Sequence, residues 1–147
     1  MTTVTPHAQA RATVLYDGDC GFCKWSLAKL LAWDRRGALR PLPLQDPEAD
    51  RLLGGMESER KLASWHLVAE DGSVVSAGRA LAPLFGLLPG GRPLAALASA
   101  LGPVTERGYG WVAGHRDVFG KAVSAGARRR ASARIARRSA GAIRPER

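Results

Sequence analysis

Cysteine is scarce in this chain, with two among 147 residues. A disulfide-dense scaffold is therefore excluded, and so is a closed zinc site of four cysteines. No apolar run approaches the roughly 20 residues that a membrane-spanning helix needs. The segment Met1–Thr13 is polar and lacks the apolar stretch of a secretory leader, so the cytoplasm is the expected compartment. No aromatic residue follows Phe119, which leaves the arginine-rich end without a stacking platform for nucleic-acid bases. Proline is missing between Pro47 and Pro83, and no internal repeat is found.

Acidic residues are scarce in one place only. Of 22 Lys and Arg and 13 Asp and Glu, ten and two respectively lie from Arg116 onward, so nearly all of the net charge of +9 belongs to the end of the chain. The body before Arg116 is close to neutral. With 46% hydrophobic residues it is long enough to bury a real core as one domain.

Both cysteines fall in the stretch Leu15–Trp25, spaced as Cys20-x-x-Cys23, after a short apolar run and at the start of a helical pattern. In a reducing compartment such a pair reads as catalytic or metal-binding rather than as a structural staple. A helix N-terminus offers unpaired N–H groups and partial positive charge, both of which favour a thiolate, the nucleophilic form. Asp19 is the expected N-cap. Its carboxylate works against a neighbouring thiolate and Lys24 works for one.

The chain then reads in order. Residues 1–11 are expected to be a disordered leader, and Ala12–Tyr16 a central strand covered on both faces. A helix is expected from Cys20 or Gly21 to Arg36, with Cys23, Leu27, Leu30 and Leu31 on its apolar face, Arg35 and Arg36 at its negative end, and Gly37 closing it. Cys23 would point along that face toward the core and Cys20 would sit at the helix mouth. Leu39–Leu44 is extended, and Pro41 and Pro43 put it at a sheet edge, parallel to the first strand. Pro47–Leu53 is a short helix, and Asp71-Gly72 turns a hairpin within Trp65–Ser76. Helices follow with Leu81, Leu84, Phe85 and Leu88 on one face, then Leu94, Leu97, Ala98 and Leu101, then a weaker one over Pro103–Lys121. From Ala122 to Arg147 the chain is mostly Ala, Arg, Ser and Gly and is expected to be a disordered tail. The order β-α-β-α-β-β-α predicts an α/β fold, a thioredoxin-like three-layer sandwich. Its four-stranded mixed sheet would carry flanking helices and extra C-terminal helices over residues 12–121.

Tyr16-Asp17-Gly18-Asp19-Cys20-Gly21-Phe22-Cys23 resembles the signature of the DCC family of thiol-disulfide oxidoreductases. Gly78-Arg79-Ala80 after the hairpin resembles that family's middle segment, and Tyr109, Trp111 and Arg116 resemble its C-terminal Tyr…Trp…Arg pattern. The resemblance covers about residues 12–118 and implies a thioredoxin-like fold and dithiol chemistry with no cofactor. Two features of thioredoxin itself are missing. No proline stands near Ala63-Ser64, where the cis-proline facing the cysteines would fall, and the strand before the motif offers Val14 and Leu15 where thioredoxins bury an acid.

The expected chemistry is protein-disulfide reduction. Cys20 attacks a disulfide in a protein or small molecule, Cys23 resolves the mixed disulfide, and a separate thiol reductant resets the pair. Asp17 is a candidate acceptor for the Cys23 proton, with turn formation as its ordinary role. Phe22 and Trp25 are candidate docking residues. The alternative is a binding module. Its metal version would join the cysteines to His66 and His115, which lack a ligand spacing. Its other version is non-specific contact of Arg128, Arg129, Arg130, Arg134, Arg137 and Arg138 with nucleic acid or an anionic membrane. The ordinary roles of the remaining candidates are core packing for Trp65 and Trp111, a strand residue under a helix for His66, a helix-face residue for His115, and a helix-end cap or ion pair for Arg116.

Overall fold

The computed structural model describes residues 12–142. The leader expected over 1–11 and the last five residues of the expected tail lie outside them. Strand β1 (Ala12–Tyr16) leads into helix α1 (Gly21–Trp33), and β2 (Leu39–Pro43) returns parallel to β1 with Leu15 opposite Leu42. Helices α2 (Pro47–Leu52) and α3 (Ser58–Ala63) follow, then β3 (His66–Ala69) and β4 (Val74–Ser76) as the hairpin. The sheet order is β2-β1-β3-β4, with β1 antiparallel to β3. That is the expected mixed thioredoxin-like sheet, with the proline-bearing β2 at its edge.

Alternation along the central strands builds two cores, one on each face of the sheet. Val14, Tyr16 and Leu67 face α1 through Leu27 and Leu31 and the later helices through Leu84, Leu88 and Ile135. Leu15, Leu42 and Val68 face the opposite way, onto Ala49 and Leu53 around α2. Asp46 caps α2 by accepting from the Glu48 amide, and Glu48 takes a two-pronged hydrogen bond from Arg40 on β2. Helix α3 is a finding the periodicity did not anticipate; its end is tied down by the Lys61 carbonyl, which accepts from His66 Nε2.

A 3₁₀ turn over Ala77–Ala80 begins the C-terminal half, and α4 (Leu81–Leu87), α5 (Arg92–Ala100), α6 (Gly102–Gly114) and α7 (Arg116–Ala122) follow. Gly78 is a close-approach position, since a Cβ there would stand 2.8 Å from Glu106 Cα on α6. The apolar face expected on α5 is present but uncovered, with Leu94, Leu97 and Leu101 exposed. Trp111, expected in the core, is 61% exposed, and its ring lies against those of His115 and Phe119. Periodicity shows that a helix has an apolar face, not that another element lies on it.

Two further expectations are corrected. Helix α1 stops at Trp33, not Arg36, because the Asp34 carboxylate turns back to accept from the Ala38 and Leu39 amides. Arg35 and Arg36 stay exposed, and Arg138 serves the helix end instead, donating to the Leu31 and Asp34 carbonyls. The expected disordered tail is helix α8 (Ala125–Ala142) over most of its length. Alanine and arginine have high helix propensity. Ala131, Ile135 and Arg138, at i, i+4 and i+7, form a single stripe that seats on the domain, the first two buried and the third bonded to Asp34. No helix among the described residues is long and apolar enough to cross a membrane.

Candidate functional site

The turn between β1 and α1 sets the position of Cys20. Asp17 Oδ1 accepts from the Asp19 amide at 3.0 Å, and the Asp17 carbonyl accepts from the Cys20 amide at 3.2 Å. Gln45, from the loop after β2, clamps the same turn: its Oε1 accepts from the Gly18 amide, and its Nε2 donates to Asp17 Oδ1 at 2.9 Å and, at 3.4 Å, to Asp19 Oδ2. The sequence gives no signal for Gln45, which acts across 28 positions of chain.

The N-cap of α1 is Cys20 itself, not Asp19. Its Sγ accepts from the Cys23 amide at 3.3 Å, the bond a capping oxygen would ordinarily make. Asp19 is exposed and makes no cap. Both cysteines are free and half-buried, and their side chains lie within hydrogen-bonding reach of each other.

Cys23 lines a cavity of about 220 Å³ that is almost wholly apolar. Val14 and Leu27 lie in its wall, as do Phe22, Trp65 and Leu81. Its few polar groups are Asp17, Ser26, Ser64, Tyr109 and Arg116. Burial pushes the Cys23 thiol up to about 12, helped by its hydrogen bond to Cys20 and by the charges of Cys20 and Asp17. The Arg116 charge pulls it back down. Tyr109 is likewise raised to about 12, chiefly by burial. Its oxygen accepts from the Trp65 amide at 3.1 Å, so its own proton stays free to donate.

Arg116 was expected at a helix end, and it does cap one, donating to the Leu62 carbonyl at 3.0 Å near the end of α3. Its place in the Cys23 cavity was not anticipated from its spacing, nor was that of Tyr109; only the Tyr…Trp…Arg resemblance singled them out. Trp111, the middle member of that pattern, does not line the cavity. Phe22 does line it and stacks on Phe119 with ring centroids 5.2 Å apart. Trp25, paired with Phe22 in the expected docking lip, faces the groove between α1 and α8 instead, with Lys29 Nζ 5.5 Å from its ring centre.

The histidines are not gathered with the cysteines. His66 is buried, with Nδ1 at 2.6 Å from Ser76 Oγ and Nε2 at 2.9 Å from the Lys61 carbonyl. His115 Nδ1 meets the Trp111 carbonyl. Among the described residues no group of three His, Cys, Asp or Glu side chains is placed to hold a metal ion.

A family model described as DCC1-like thiol-disulfide oxidoreductase matches residues 14–121. It spans every residue of the Cys23 cavity and ends before α8. No match is found among curated proteins or among solved structures.

Proposed function

The chain belongs to the DCC1-like thiol-disulfide oxidoreductase family, and from that premise we propose that it exchanges two electrons with a substrate disulfide through Cys20 and Cys23. The observation that carries this reading is the division of labour between the sulfurs. Cys20 stands at the helix mouth with an amide donor aimed at its Sγ, and Cys23 is held back as a protonated thiol against a cavity.

The Cys20 thiolate attacks one sulfur of the substrate disulfide. That S–S bond breaks, and the other substrate sulfur leaves as a thiolate that takes a proton from solvent. Cys23 then loses its proton and attacks Cys20 Sγ. The mixed disulfide breaks, the second substrate thiol departs, and a Cys20–Cys23 disulfide remains. Two electrons have passed to the substrate, and an external thiol reductant returns two to restore the dithiol. The physical difficulty is the Cys23 proton. Two of the causes that hold it, the hydrogen bond and the charge of Cys20, vanish once Cys20 is in the mixed disulfide. Burial and Asp17 then oppose Arg116 alone. Arg116 supplies the counter-charge for the Cys23 thiolate, and Asp17, facing the same cavity, takes the proton while also forming the turn. Phe22 gives the substrate an apolar surface beside the sulfurs. A reducing cytoplasm, in which a lone dithiol can be recycled, is the setting that suits this chemistry.

The test is a redox titration in glutathione buffers, with free thiols alkylated and counted by mass. A reversible two-electron transition that is lost in Cys20→Ser supports the reading, and its midpoint gives the direction of transfer. Thiols that never pair, or that alkylate only after a chelator is added, would overturn it.

A further inference from the structure

Beside the dithiol lies a second built surface, one wall of which, helix α8, lies beyond the family match. Helix α8 runs alongside α1 in the same direction. At one end a Cβ on Gly21 would stand 3.0 Å from Arg128 Cδ, and at the other Arg138 bonds Asp34. Between the two helices is a groove of about 420 Å³, floored by alanines and walled by Trp25, Lys29, Arg130, Arg134 and Arg137. Residues 21–33 and 125–142 together hold two lysines, six arginines and not one Asp or Glu. Of the six arginines Arg138 alone forms an ion pair among the described residues; Lys29, Arg130, Arg134 and Arg137 are exposed and form no ion pair with any described acid. Like charges gathered around a concave surface raise its potential, and an anion seated there relieves their repulsion.

We propose that this groove binds an acidic polypeptide segment next to the disulfide of a protein substrate, and so presents that disulfide to Cys20. The proposal rests on the dithiol reading. The wall residue Trp25 lies five positions after Cys20 on the same helix, and Arg128, at the near end of α8, packs against Gly21 next to Cys20, so a chain lying in the groove continues toward the reacting sulfur. Arg130 to Arg137 span about 10 Å along the helix, the length of about three extended residues. Single-stranded nucleic acid is disfavoured because α8 has no aromatic residue and the Trp25 ring already stacks on Phe22 and carries Lys29. A lipid surface is disfavoured because the groove has an alanine floor and no large aliphatic side chain to insert.

Two fluorescent peptides test this, one with four glutamates beside a blocked cysteine and one with four glutamines. Binding is measured by anisotropy to the Cys20→Ser, Cys23→Ser protein, where no redox step intervenes. At low salt the glutamate peptide should bind about ten-fold tighter or more, and the preference should fade as salt shortens the screening length. Replacing Arg130, Arg134 and Arg137 together by Gln should remove the preference. In the wild-type cysteine background the same replacement should leave reduction of a neutral small disulfide, hydroxyethyl disulfide, unchanged. Lys29→Glu, on the other wall, should also cut the preference and serves if the triple variant melts early. Equal binding of the two peptides, a preference that survives both variants, or equal competition by a single-stranded oligonucleotide of the same charge would overturn the proposal. Failure of the neutral disulfide assay in the wild type would instead count against the dithiol reading.

Discussion

Arg138 and Asp34 are 104 positions apart in the chain, and the guanidinium of the one donates to the carboxylate of the other at 2.6 Å. The Asp34 side chain is fully buried and that of Arg138 is 26% exposed. The same guanidinium donates to the carbonyls of Leu31, Asp34 and Leu39, so one side chain closes α1, meets β2 and fixes α8. Arg138→Met keeps the stem and removes the charge. Asp34 then retains its two amide donors but loses its counter-charge, at a cost of about 2–3 kcal/mol. Urea denaturation measures that loss, and hydrogen exchange should show α8 amides opening before those of β1. An unchanged midpoint would mean that α8 is held by Ala131 and Ile135 alone.

The contact between Gly78 and α6 allows a second prediction. A methyl at Gly78 would meet Glu106 Cα at 2.8 Å and the Thr105 carbonyl oxygen at 2.9 Å, both backbone atoms that cannot swing away. Gly78→Ala should cost about 1–3 kcal/mol by overpacking. Because α6 also carries Tyr109, its displacement should weaken the Tyr109 bond to the Trp65 amide. A stability loss with unchanged exchange of the Trp65 amide would place the strain elsewhere.

What was legible in the sequence follows the range of the interactions involved. Helix α1, the parallel β1–α1–β2 unit and the Asp71-Gly72 hairpin rest on patterns within a few residues, and each is present. Helix α8 was hidden because Ile135 is its only large aliphatic residue among 125–142, and its anchor acid lies at the other end of the chain. Asp19 looked like the cap because propensities favour a carboxylate. In the turn clamped by Gln45 the Asp19 carboxylate meets Gln45 Nε2, and the Cys20 sulfur takes the capping place. Cys20 and Cys23 were visible as a motif. Tyr109 and Arg116 reach Cys23 only through tertiary packing of α6 and α7, which no local pattern encodes.

Titration should destabilise the reduced protein in both directions. The Cys23 thiol lies at about 12 in the folded state against an ordinary 9.0, and Tyr109 at about 12 against 10.0. Across that window the unfolded chain has released protons that the folded protein keeps, so stability is full below about 9 and falls as pH rises toward 12. The oxidised protein has no Cys23 proton and should fall less. On the acid side burial lowers His66, whose neutral ring accepts from Ser76 at Nδ1 and donates from Nε2 to the Lys61 carbonyl. Its contribution is present above the ordinary value of 6.5 and is lost as pH falls through the lowered one. Urea midpoints across pH check both limbs, and His66→Gln should flatten the acid limb alone.

Arg116 offers the sharpest test of the resolving step. It is the one charge in the Cys23 cavity that favours the thiolate, against burial and Asp17. Arg116→Met should raise the Cys23 thiol further, so that alkylation of Cys23 shifts to higher pH. A shift of one unit removes about nine-tenths of the thiolate, partly offset by greater nucleophilicity, so resolution should slow about three- to ten-fold. The mixed disulfide should then accumulate during turnover, and Cys23→Ser should trap it fully. Because Arg116 also caps α3 through the Leu62 carbonyl, its loss also lowers stability, which by itself slows the exchange. Arg116→Lys separates the two effects: it keeps the charge but not the fork, and should restore most of the Cys23 profile with less of the stability. If Met and Lys give the same pH profile, Arg116 acts only as a cap, and the Cys23 proton leaves without its help.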